Sequence, residues 1–168
     1  MIELKKKLPI SKELEKLYTE SAPIGFEIDW TVEWLVLYSP DELYDCQFGY
    51  QWIDDIGTEE DETWDKNWIV IGDCSADPII ANVGEKGTPI LMAVHGIGDY
   101  TPRRIAPSLS SYFDILTMWL DLVYGDFKGK RRNANGTFNT TLNNVLKKNL
   151  INTLPIDCID NFLYFLNI

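Results

Sequence analysis

With 168 residues, of which 45% are apolar and 12% aromatic, including six Trp, the chain can bury the core of a single domain and is not of the disordered type. Its net charge of −11 and isoelectric point near 4.4 disfavour contacts with nucleic-acid phosphates. No apolar run reaches the ~18 residues of a membrane-spanning helix, and Cys46, Cys74 and Cys158 are spaced like free thiols of a reducing cytosol.

The charge is unevenly placed. Between Glu20 and Tyr100 stand 18 acidic residues and two basic ones, Lys66 and Lys86, for a net −16. Residues 1–19 carry +2 and residues 101–168 carry +3. A solvated face that keeps the protein soluble is the plain reading of such a segment. Its concentration in one part of the chain favours a surface that meets a positive partner.

In chain order, the N-terminal Met-Ile-Glu-Leu-Lys-Lys-Lys-Leu-Pro lacks the apolar stretch of a secretory signal. Residues 10–19 read as a helix with Ser11 as N-cap and Leu14, Leu17 and Tyr18 on one face. Residues 21–25 break it. Residues 34–38, Trp-Leu-Val-Leu-Tyr, read as a strand. Ser39-Pro-Asp-Glu42 predicts a helix start: Ser39 caps, Pro40 occupies the first turn and Glu42 closes a capping box. That helix is expected to run from Pro40 into the Tyr44–Phe48 stretch.

Asp54 to Asp65 is the most acidic stretch. Residues 58–63 hold no large apolar side chain and read as an exposed loop, bracketed by Trp52 and Ile53 before it and by Trp64 and Trp68 after it. Residues 68–71, 78–83 and 89–94 read as three strands, the last two joined by a turn at Gly84–Gly87. Their connections are too short for crossover helices, so neighbours should be antiparallel. A long helix is expected from Leu109 to Tyr124, with Leu109, Tyr112, Phe113, Leu116, Leu120 and Val123 on its apolar stripe and Gly125 as its stop. Lys128 to Gly136 reads as a basic, flexible linker. One or two further helices follow, divided near Pro155.

Motifs for chemistry are sparse. His95 is the sole histidine, in His-Gly-Ile-Gly-Asp99, and a hydrolase using His95 and Asp99 lacks a recognisable nucleophile motif. No zinc spacing, calcium loop or phosphate-binding glycine loop occurs, so no metal or cofactor site is expected. Trp30, Trp34, Tyr38, Trp52, Trp64 and Trp68 are expected in the core, with one or two at the edge of the acidic face.

The succession Trp34-Leu-Val-Leu-Tyr-Ser-Pro-Asp-Glu-Leu43, Trp68-Ile-Val-Ile-Gly-Asp73, Asp77-Pro-Ile-Ile-Ala and Ile105-Ala-Pro-Ser-Leu-Ser-Ser-Tyr-Phe113 resembles the SUKH (Smi/Knr) superfamily. The likeness covers about residues 9–124. The chain departs from the pattern in the Gly72–Asp77 turn, which lacks the usual extra glycines, and at Leu109, where Phe is common. The resemblance implies an α+β fold, a mainly antiparallel β-sheet flanked by helices. Residues 1–124 would form the SUKH-like domain, and residues 125–168 a linker and a helical C-terminal extension packing on it. It further implies a non-enzymatic cytoplasmic immunity protein that binds and neutralises a polymorphic toxin of nuclease or deaminase type. The alternative is a SUKH-type scaffold or regulatory interaction module. The partner expected is a toxin domain with a basic active-site cleft, without nucleic acid, membrane or cofactor, and the sequence leaves room for a homodimer. The protein-binding residues expected are Asp54, Asp55, Glu59, Glu60, Asp61 and Glu62, with Trp52 and Trp64 as hydrophobic anchors.

Overall fold

The structure, a computed structural model, is described for residues 8–21, 26–29, 34–54, 57, 59–96 and 101–166. It begins with α1 (Lys12–Glu20), whose N-cap Ser11 accepts a hydrogen bond from Leu14 N. Six strands then follow: β1 (Phe26–Asp29), β2 (Trp34–Leu37), β3 (Trp68–Cys74), β4 (Asp77–Asn82), β5 (Ile90–Met92) and β6 (Arg103–Ala106). They form one sheet in sequential order with every neighbouring pair antiparallel. α2 (Leu109–Leu120), α3 (Thr140–Ile151) and α4 (Ile156–Phe165) complete the α+β fold.

Strand periodicity sorts the side chains onto two faces. Ile69, Ile71, Ile79, Ala81, Ile90 and Met92 point into the main core, where they meet Leu14 of α1, Leu116 and Trp119 of α2, Leu142 and Leu146 of α3 and Phe162 of α4. Val70, Ile80 and Leu91 lie side by side in register on the opposite face. There they form a smaller cluster with Trp64 and Ala93, flanked by Tyr38, Tyr50 and Trp68. The sheet is thus covered on one side by helices and on the other by part of the chain between β2 and β3, whose Leu43 and Trp52 join the main core instead.

Several local expectations meet the structure with differences. The capping box forms: Glu42 Oε2 accepts from Ser39 N (3.0 Å) and Ser39 Oγ (2.6 Å). These bonds hold the Glu42 carboxyl below its usual range. The helix beyond it is only a succession of turns ending in a short 3₁₀ helix, Asp45–Gln47. Phe48 already has extended backbone and Gly49 N donates to Trp52 O, so the chain leaves the helical path to enter the acidic loop. β1 and β6 have no counterpart among the strands read from sequence, because each is four residues long and is defined by its partner. α2 ends at Leu120 and continues as a π-helical turn, Asp121–Asp126, past Gly125. The wider turn lets consecutive Leu122 and Val123 both face the core. The stretch Lys128–Gly136, expected as a flexible linker, is a closed turn. Asn133 N donates to Thr137 O, Asn139 N to Arg131 O, and Asn139 Nδ2 to Lys130 O. Its asparagines supply side-chain bonds to backbone that a Gly/Ser linker lacks. Asn139 also caps α3.

The β3–β4 hairpin turns in two residues, Ser75 and Ala76, at φ of +53° and +71°. Both positions favour Asn or Gly. Asp73 Oδ1, which accepts from Ala76 N, and Tyr50 OH, which donates to Ala76 O, hold the turn. Ala76→Gly is therefore expected to stabilise the fold by about 1 kcal/mol, net of added chain entropy. The readout is a higher urea midpoint at unchanged slope, and a lower midpoint would contradict strain at Ala76.

Candidate interaction surface

The acidic segment is a loop with two anchors. Trp52 is buried in the main core, 5.7 Å from the Tyr44 ring, and its backbone bridges to Phe48 and Glu60. Trp64 is buried in the cluster on the other sheet face, 5.7 Å from the Tyr50 ring and edge-on to Trp68 at 5.6 Å. Its indole N–H donates to Trp68 O. Between these anchors Ile53 N donates to Glu59 O and Asp61 N to Gln51 O, which folds the loop back on itself.

Burial corrects part of the sequence reading. Trp52 and Trp64 are only 4% and 6% exposed, so neither is an anchor offered to a partner; both tie the loop to the body of the protein. Large apolar side chains bordering this loop that do reach solvent are Phe48 and Ile53, each just over half exposed. Trp34, expected in the core, is 55% exposed near the start of β2. Trp68 is half-buried, and Trp30 lies outside the described residues.

The carboxylates divide into two groups. Asp54 Oδ1 accepts from Glu59 N, Asp61 Oδ1 accepts from Thr63 N and Oγ1, and Asp65 Oδ1 accepts from Asn67 N and Nδ2. These three shape the loop as side chain–backbone turns. The Thr63 bonds hold the Asp61 carboxyl below its usual range. Glu59, Glu60 and Glu62 are exposed, and among the described residues their carboxylates have no hydrogen-bond or ion-pair partner. Asp55 lies outside the described residues.

Gln47 was not singled out in the sequence, yet it sets the root of this loop. It is fully buried; its Nε2 donates to Leu43 O (2.7 Å) and Val70 O (2.8 Å), and its Oε1 accepts from Val70 N (2.9 Å). The side-chain amide thus acts as one more residue of strand partner beyond the end of β2. A Gln between Cys46 and Phe48 in a partly apolar stretch was the available signal.

His95 is exposed and its backbone N–H donates to Asp77 Oδ1 (2.8 Å), while Asp99 lies outside the described residues. Burial, then the Glu42, Asp45 and Asp73 carboxylates, pushes the Cys46 thiol up to about 11, so it is not an activated thiolate at neutral pH. Burial and the hydrogen bond to Asp73 likewise keep Tyr38 a neutral donor. No group of three or more metal-ligating side chains occurs among the described residues. Among those residues, no helix is long and apolar enough to cross a membrane.

Fold and surface together define an α+β domain with an acidic loop anchored by buried tryptophans at both ends. No protein family, curated protein or solved structure matches the chain.

Proposed function

We propose that this chain is a SUKH-like immunity protein that binds a cognate polymorphic toxin, of nuclease or deaminase type, and occludes its basic active-site cleft. One observation carries the reading: within four positions of a loop pinned at both ends, Glu59, Glu60 and Glu62 present three carboxylates without a partner among the described residues. A loop anchored at both ends loses less conformational entropy on binding than a free one. Its charges imitate the phosphates that a basic cleft is built to hold, and they accelerate encounter by long-range attraction. Phe48 and Ile53 take the place of the two buried tryptophans as apolar contacts beside the charges. The order of the motifs also supports the family reading: they fall on β2 and its capped turn, on β3, on β4 and on β6 running into α2.

The test is charge reversal of Glu59, Glu60 and Glu62 to Lys, with binding measured against the toxin encoded next to this gene. The association rate at low salt is expected to fall about 10- to 100-fold, and the difference to shrink as salt rises. Stability should change by no more than about 0.5 kcal/mol, since all three side chains are exposed. An unchanged association rate would remove this loop from the interface.

A further inference from the structure

On the helical side of the sheet, α1 and α2 enclose an open groove of about 490 Å³. Leu17, Leu109 and Phe113 give it apolar lining, and Glu13, Lys16 and Glu20 line it from α1. Positions 13, 16, 17 and 20 follow the i, i+3, i+4, i+7 pattern, so they form one stripe of α1, distinct from the core-facing Leu14 and Tyr18. Glu13 and Glu20 stand two turns apart, about 10 Å along the axis.

The ends of the two helices that border the groove are joined through Gly87 and Thr88. Thr88 is fully buried at φ +53°, a conformation that a β-branched residue rarely adopts. Its hydroxyl lies 2.7 Å from Ser11 Oγ, the cap of α1, and 3.4 Å from Glu13 Oε2. One residue earlier, Gly87 O accepts from Leu109 N at the start of α2. A single turn therefore fixes the N-terminal ends of both helices.

The lining carries two carboxylates, Glu13 and Glu20, against one ammonium, Lys16. Lys16 reaches Glu20 at 3.8 Å, but the two side chains are 70% and 63% exposed, so the pair is weak. Glu13 has no cation of its own among the described residues, and α2 contributes none to the lining. An apolar trough with surplus carboxylate suits an apolar segment bearing positive charge. Because both walls are helices and the carboxylates are spaced by whole turns, the matching shape is a third helix laid between them. We propose that this groove is a second interaction site, which receives the apolar face of an amphipathic helix flanked by Lys or Arg and supplied by a partner protein.

The test uses the full chain labelled with ¹⁵N and two synthetic helical peptides. Both carry the same leucine face; one is flanked by lysines, the other by glutamates. The lysine peptide is expected to shift the amides of Lys16, Leu17 and Phe113 saturably, and to bind at least about tenfold more tightly than the glutamate peptide. Replacing Glu13 and Glu20 together with Lys should weaken the lysine peptide about tenfold, with a fall of about 2–4 °C in the thermal midpoint, because Glu13 gives up its contact with Thr88 and its place in the first turn of α1. Phe113→Glu should abolish the shifts, with the Leu116 and Trp119 resonances reporting an intact core. Equal binding of the two peptides, no binding of either, or shifts confined to Glu59–Glu62 would each overturn the proposal. The last outcome would mean attraction to the acidic loop alone. The toxin experiment above is read separately, because none of Glu59, Glu60 and Glu62 lines this groove.

Discussion

Replacing Gln47 with Leu is expected to destabilise the protein by about 3 kcal/mol. Leucine fills nearly the same volume, so the cost does not come from a cavity. It comes from Val70 N–H, Val70 C=O and Leu43 C=O, which lose the amide that now meets them in a buried site. Pairing between β2 and β3 runs from Leu35–Cys74 to Leu37–Gly72 and continues only to the bond from Tyr38 N to Ile71 O. At Val70 no strand is left on that side, and Gln47 stands in for one. Each buried group stripped of its partner costs about 1–3 kcal/mol, partly offset by the added apolar contact of leucine. The measurement is a urea titration read at the midpoint with an unchanged slope. A loss below about 1 kcal/mol would mean that water or another donor replaces the amide. The same substitution loosens the root of the acidic loop, so binding through Glu59, Glu60 and Glu62 should weaken although none of them is touched.

Gly72→Ala should produce a loss of similar size by the opposite means, overpacking. Gly72 lies on β3 between β2 and β4, paired with Leu37 and Ile79. A Cβ at this position would run into the backbone oxygen of Val36, and a backbone carbonyl held in a ladder cannot swing aside as a side chain can. The two strands would have to separate, so about 3 kcal/mol is expected. In hydrogen exchange the amides of β1 and β2 should lose protection ahead of those of β4 and β5, since the clash lies on the β2 side. Uniform loss of protection across the sheet would contradict this account.

Both positions show where local reading stops. Ser11 and Ser39 were legible as caps because a capping serine bonds within three residues of itself. The three strands of residues 68–94 and the break near Pro155 were legible for the same reason, through short turns and alternation. The acidity of the middle segment needed only counting. By contrast, Gln47 bonds to a residue 23 positions away, Asn161 Nδ2 reaches Arg104 O across 57, and Thr88 Oγ1 reaches Ser11 Oγ across 77.

The sequence by itself therefore determined the antiparallel hairpins, most of the helices and the place of the negative charge, because those depend on neighbours in the chain. Tertiary structure alone decided that Trp52 and Trp64 are buried while Phe48, Ile53 and Trp34 face solvent. It likewise decided that β1 and β6 complete the sheet, and that the carboxylates split into turn-formers and ones without a partner among the described residues. Burial and pairing are properties of what folds against a residue. For this chain the partners come from elements far apart in sequence, so only the assembled sheet and helices could assign them.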